Sequence, residues 1–429
     1  MRLIDEKITK LRKAKKSNQF VFAEAIHSHP LTVSNVETGK SKYSHDCIRL
    51  AKVYLDIVDM PLTEDECVVS NARLNLIRDY VRDDRLKDAR VICDEMAKIV
   101  NLEPVDKYLP MLYRLYEVVL LLAERNLDTA EEKLTYLQGR LDEMNDKHRY
   151  YFYRSLGELN NYRVNYEDAL GFYKQAIEIS TNVADFSPSE NARLHFCIAY
   201  SYSCLEFPYR AILYIEKNRE LLNMRQTEKI SIMSGIVLAL NYIKIETLDE
   251  AERLLKSCLT RSKSIKDNTY TLMTLHYYGF MYMKHENWKM AEDYLDQALQ
   301  YCDKDSPHYL PVLQRKILCL VKSRNFPKAR NILMETSPYH HACEIFSINF
   351  EALKHYITIS SRMSLPNHES IKYIESTAIP HFIKACDYFL AMEYYNLLES
   401  YYQDKNTQKL HLASVAIRKI YERCFLSAI

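Results

Sequence analysis

The chain has 429 residues, too many for one compact core, with the 48% hydrophobic and 27% charged content of an ordinary globular protein. Its six glycines can assemble neither a G-x-x-x-x-G-K-[ST] loop nor a G-x-G-x-x-G turn, which excludes the usual nucleotide-binding loops. Residues 1–60 hold eleven Lys/Arg against seven acids, a net +4 that leaves the rest at −3, so only this head suits a polyanion. The eleven cysteines include no C-x-x-C, and thiols packed between helices explain them better than disulfides or zinc. A charged start from Arg2 and a longest apolar run of only Val118 to Ala123 predict neither a signal peptide nor a membrane span, hence a cytosolic, reduced protein with no membrane partner.

In chain order, a first helix is expected with Ile4, Ile8 and Leu11 on one face and Lys10, Arg12, Lys13 and Lys16 on the other. A second helix over about 18–26 buries Phe22, Ala23 and Ile26. After a break at His27–Pro30, Ser28 is expected to cap a third helix over about 29–37, with Pro30 in its first turn. Gly39 ends that helix, and a fourth over about 44–57 buries Ile48, Leu50, Ala51 and Leu55. Short helices around a tight turn, flanked by basic residues, are the plan of a helix-turn-helix.

Beyond the head, seven alanines recur every 38 to 42 residues: Ala89, Ala130, Ala169, Ala211, Ala251, Ala291 and Ala329. Three residues before them stand Leu86, Leu127, Tyr166, Pro208, Leu248, Trp288 and Phe326. Four after them stand Cys93, Leu134, Tyr173, Ile215, Leu255, Leu295 and Leu333. Twelve before, the residue is small in four of the seven: Gly157, Ala199, Ala239 and Gly279. Fixed columns at a fixed period mean stacked helix pairs, because one pair cannot bury its apolar face alone. The reading is an all-α chain: a helix-turn-helix domain over 1–62, then a right-handed α-solenoid of about nine repeats over 67–429. Seven of those repeats are carried by the alanines, and two weaker ones by about 345–379 and 380–429.

The block from Ser17 to Lys40, with Gln19-x-x-x-Ala23-Glu24 and Ser34-Asn35-Val36-Glu37-Thr38-Gly39-Lys40, resembles the Xre/Cro-type helix-turn-helix. The resemblance implies phosphate contacts from Gln19 and Asn35 and base readers among His29, Leu31, Thr32 and Ser34, with Lys40 at the same interface. His27 stands where that family usually holds glycine and must adopt a left-handed conformation. Ser28 replaces a usual apolar turn residue, and Pro30 a position that is often polar.

The repeats resemble tetratricopeptide repeats with lengthened helices, most clearly at Tyr153-x-x-Leu156-Gly157 with Ala169, and at Tyr278-Gly279 with Trp288 and Ala291. Counting back from each alanine places Arg154, Asn161, Tyr200, His276, Phe280 and Gln314 on the face of the first helices, with Asn241 and Lys244 at its edge. Asparagine suits such a face, since its amide both donates to and accepts from a peptide backbone. His340-His341 with His308 lacks a third ligand at helical spacing, so no metal is expected, and no catalytic constellation or cofactor site stands out.

A head of the first kind joined to repeats of the second is similar to the RRNPP group of Gram-positive quorum-sensing regulators, with NprR-like members nearest in length and repeat number. The resemblance implies a peptide-responsive transcriptional regulator that is not an enzyme. A short secreted signalling peptide would bind the repeat groove and alter how a homodimer holds double-stranded DNA. Two alternatives stand beside it: a Rap-like module that binds and inhibits or dephosphorylates a response regulator, and a protein scaffold with a vestigial head.

Overall fold

The computed structural model describes residues 3–56, 64–102, 108–182, 186, 188–217, 228–340, 344–361, 368–403 and 405–426, and these are helical with short turns and no strand. They fall into two compact units, Met1–His148 and Arg149–Ile429.

The first unit opens with four short helices, α1 (Leu3–Ala14), α2 (Gln19–Ala25), α3 (Pro30–Glu37) and α4 (His45–Tyr54). They close around Ile8, Phe22, Ala23, Ile26, Val33, Val36, Tyr43, Ile48 and Ala51, while Leu50 lies half-buried against this core. The Phe22 ring meets Tyr43 and Tyr54 edge-on at 6.3 and 5.7 Å. His27 takes φ +50°, the left-handed turn that the sequence required of it. The cap of α3 is His29 rather than Ser28, its Nδ1 accepting from Leu31 N at 3.2 Å. Ser28 belongs instead to the turn, its amide closing the end of α2 on the Ala23 carbonyl, and the extended backbone that a cap needs falls at His29. Helix α4 ends at Tyr54, earlier than 57, where Asp56 turns left-handed at φ +50°; residues 57–63 lie outside the described residues.

The repeats begin in the same unit with α5 (Glu64–Arg82), α6 (Leu86–Leu102), α7 (Tyr108–Ala123) and α8 (Leu127–Gln138). Helix α9 (Asp146–Tyr162) leads into the second unit, which continues through α10 (Tyr166–Asn182), α11 (Pro188–Cys204) and α12 (Pro208–Glu216). Next come α13 (Glu228–Lys244), α14 (Leu248–Ser264), α15 (Asn268–Lys284), α16 (Trp288–Gln300), α17 (Tyr309–Lys322), α18 (Phe326–His340) and α19 (Glu344–Ser360). A π-helical stretch, Ile374–Ala378, then joins α20 (His368–Tyr373) to α21 (Ile379–Lys384), and α22 (Tyr388–Tyr402) and α23 (Thr407–Tyr421) follow. Taken two by two, with α20 and α21 as one arm, these are nine helix pairs among the described residues.

Each column has a packing role. The residue three before each ladder alanine is the first residue of the second helix of its pair, and all seven alanines are fully buried. The small residue twelve before lets the two helices close. A Cβ on Gly157 would sit 2.4 Å from the Tyr173 ring, and one on Gly279 would sit 2.6 Å from Leu295. In both cases the neighbour is the apolar residue four after the alanine. Within each of the seven alanine-ladder pairs the first helix ends identically. Asp84, Arg125, Val164, Glu206, Glu246, Glu286 and Arg324, five before the alanines, all have φ between +55° and +66°. The next amide closes the turn on the carbonyl nine before the alanine, as Asn165 does on Asn160 at 2.9 Å and Asn325 on Leu320 at 2.8 Å. A left-handed non-glycine residue costs about 1–2 kcal/mol, which the paired carbonyls and the docked second helix offset.

Candidate functional site

In the head, Leu31 and His29 are exposed at the start of α3, with Thr32, Ser34 and Asn35 half-buried behind them and Lys40 exposed past its end. Five of the six candidates beyond Gln19 therefore share one short helix and its cap. Gln19 is held differently: its Nε2 donates to Glu37 Oε2 at 2.8 Å. Arg12, which helical spacing put among the basic flank, turns inward. Its guanidinium takes Glu37 through Nε at 2.6 Å and Nη2 at 3.0 Å, and it also donates to the Ser17 carbonyl. Burial by itself would raise the Glu37 pKa. The hydrogen bonds from Arg12 and Gln19, with the Arg12 charge, outweigh burial and hold it below the usual carboxylate value. This cluster ties α1, α2 and α3 together, while Lys10 and Lys13 on α1 and Lys15 and Lys16 just past its end are exposed.

In the second unit the candidates on the first helices fall into two groups. Arg154 is buried against Glu158 at 3.3 Å, with its Nε unpartnered. Asn161 donates to Tyr173 Oη at 2.9 Å and accepts from Ser201 Oγ at 2.8 Å. Asn241 is fully buried, its Nδ2 donating to Ser203 Oγ at 2.9 Å and to the Val237 carbonyl at 2.7 Å. These amides stitch neighbouring first helices together. Gln314 similarly accepts from Asn349 Nδ2 at 3.3 Å.

The other group gathers around charge. Lys244 donates to the Ser203 carbonyl at 2.7 Å and pairs with Glu206 Oε1 at 2.8 Å. The equivalent pair one repeat on is Lys284 with Glu246 at 3.3 Å. His276 Nε2 accepts from Arg315 Nε at 2.8 Å, and its ring stacks on Tyr277. Phe280 lies buried beneath the same guanidinium at 4.0 Å and against Phe389 at 5.0 Å. Tyr200 is 40% exposed and sits near Cys204 and Tyr277. Burial raises the Glu206 and Asp387 carboxyls, while burial and the Arg315 charge push the His276 imidazole well down.

Arg315, Glu206, Asp387, Tyr277, Phe389, Asn191 and Asn349 were not among the residues picked out in the sequence. Glu206 had a signal, since it and Glu246 are acids in one column, each followed a repeat later by a lysine two positions earlier in its own frame. Asp387 and Phe389 had none, because α22 reaches this region through folding of the repeats outside the alanine ladder. Among the described residues no cluster of His, Cys, Asp or Glu could hold a metal ion, and no helix is long and apolar enough to cross a membrane. His341 lies outside the described residues.

No family model matches the chain. It is 25% identical over 305 residues to the transcriptional activator NprA of Geobacillus stearothermophilus, covering 70% of this chain and 74% of that protein. The solved structure of NprR in complex with its cognate peptide NprX matches with a TM-score of 0.68 at 17% identity, covering 82% of this chain and 99% of that one. A Rap protein complexed with competence and sporulation factor also matches at 0.68, with 16% identity over 83% and 98% of the two chains. The helix pairs thus carry the repeat fold of these regulators.

Proposed function

We propose that this chain, an RRNPP-type regulator related to NprR, is a cytoplasmic receptor for a short signalling peptide that controls DNA binding and catalyses no reaction itself. Residues 1–62 serve as the DNA-reading domain, through Gln19, His29, Leu31, Thr32, Ser34, Asn35 and Lys40. Residues 67–429 serve as the peptide-sensing and dimerising domain, with Arg154, Asn161, Tyr200, Asn241, Lys244, His276, Phe280 and Gln314 in or beneath the binding surface.

One observation above all supports this reading: three amide oxygens on first helices lack a partner. The Oδ1 atoms of Asn191 on α11, Asn241 on α13 and Asn349 on α19 are buried and accept no hydrogen bond. A buried acceptor left unmet costs about 1–3 kcal/mol. Main-chain N–H groups of an extended peptide, reached by small rotations of these side chains, offset that cost across several repeats at once. Peptide binding then changes DNA binding to the extent that the peptide prefers one arrangement of the repeats over another.

Selection of duplex DNA from a random pool by the purified protein, with and without peptide fractions from the source culture, tests the proposal. Enrichment of a sequence with two half-sites, lost steeply as salt rises and altered by one fraction, is the expected result. Thr32→Ala should then relax the preference at one base position by about 1–3 kcal/mol while peptide binding persists. No enrichment above non-specific binding, with peptide binding intact, would overturn the DNA half in favour of the response-regulator alternative.

A further inference from the structure

Within the second unit, the side chains around α17 leave one cation without a direct ion pair. Four charged groups meet there: Glu206 from the α11–α12 turn, Lys244 from α13, Arg315 from α17, and Asp387 just before α22. Three are committed. Lys244 and Glu206 hold each other at 2.8 Å, and Asp387 Oδ1 accepts from Leu390 N at 3.0 Å as the cap of α22. Arg315 makes no ion pair among the described residues. Its Nε donates to His276, which must be uncharged to accept, and its Nη1 is buried without a partner. Phe280 lies 4.0 Å below the guanidinium and Phe389 5.9 Å away, so the group is seated on aromatic surface instead of carboxylate oxygen. Burial disfavours the charge and lowers the guanidinium's pKa despite the opposing pull of Tyr277, Asp387 and Glu206, yet at any physiological pH it stays protonated. A planar fork with free N–H groups, positioned on rings and oriented by a histidine, is the geometry that takes a carboxylate.

We infer that Arg315 anchors a carboxylate of the peptide ligand, seated over Phe280 and Phe389 and oriented through His276. This rests on the peptide-receptor reading and adds the chemistry that the peptide must carry. Two sources offer that chemistry, the peptide's own C-terminus and an Asp or Glu side chain. The aromatic floor favours an apolar residue beside the carboxylate.

The test is affinity selection by the full-length protein from two pools of short randomised peptides, one with free C-termini and one amidated, read by mass spectrometry. Enrichment confined to the free-acid pool supports the C-terminal source. Enrichment in both pools of peptides with Asp or Glu at a set distance from apolar residues supports the side-chain source. Arg315→Gln should lower capture of these peptides at least about tenfold, as expected for a lost charge-assisted pair, and Arg315→Lys should recover part of it. Capture of peptides without any carboxylate preference, or an unchanged preference in Arg315→Gln, overturns this inference alone. If the wild-type protein enriches no peptide from either pool, the underlying receptor reading fails. The comparison of pools on the unaltered protein needs no variant to fold.

Discussion

Arg12 in the head and Arg315 in the repeats are both enclosed guanidinium groups, yet they are supplied very differently. Arg12 lies with both forks on Glu37, whose carboxylate also takes Gln19, so the chain itself satisfies the charge and thereby joins three helices. Arg315 has a neutral histidine, two phenylalanine rings and an unmet Nη1. The first arrangement is finished without any ligand, and the second is complete only when something else arrives. Stability and binding therefore separate by region, and substitutions at the two arginines and their partners should report on different properties.

The largest effect expected is that of Glu37→Ala. Removing it strands Arg12 and should destabilise the head by about 3–5 kcal/mol, measured as loss of its thermal transition and of DNA binding. A head that melts as before would show that the pair is not what joins α1 to α3. Next comes Gly157→Ala, which forces a methyl into the buried Tyr173 ring at 2.4 Å and should cost about 1–3 kcal/mol in denaturant unfolding of the second unit. Arg315→Leu should change the stability of the ligand-free protein by less than about 1 kcal/mol, because it breaks no direct ion pair and removes a desolvated cation, while the lost attraction to Glu206 and Asp387 opposes that gain. A loss as large as that of Glu37→Ala would mean that Arg315 is structural after all.

Acid should distinguish the two regions more gently. His276 has a native pKa well below 6.5, so the unfolded chain takes up its proton first as pH falls. Its contribution is full above pH 6.5 and is lost below it. Glu37, depressed below 4.5, contributes fully above that value and is lost only as pH falls past it toward the native value. Thermal melts across pH 7 to 4 should show the repeats weakening first, and His276→Gln should remove the upper part of that dependence.

Much of this molecule could be read from residue order. The alanine ladder put the start of seven second helices close to the alanines, and Gly157 and Gly279 marked where those helices close on Tyr173 and Leu295. The left-handed turn five residues before each alanine was invisible, because Asp, Arg, Val and Glu fill it without pattern and the conformation is imposed by the second helix docking. The inward turn of Arg12 escaped helical spacing for a similar reason. Its partner lies twenty-five residues away in sequence and meets it only once the head has closed.

The sequence alone determined the class, the repeat frame and the kinship, since a period and its apolar columns are local properties that survive any arrangement of the pairs. Only the tertiary structure decided which polar side chains are satisfied by their neighbours and which are left waiting. Asn241 and Lys244 look equally free in the sequence, and each donates to the preceding first helix at Ser203, which leaves only the Asn241 Oδ1 unmet. Arg315 gives no sign of its role, because a charge counts as unpaired only after Lys244 of α13 has taken Glu206 and Asp387 has capped α22.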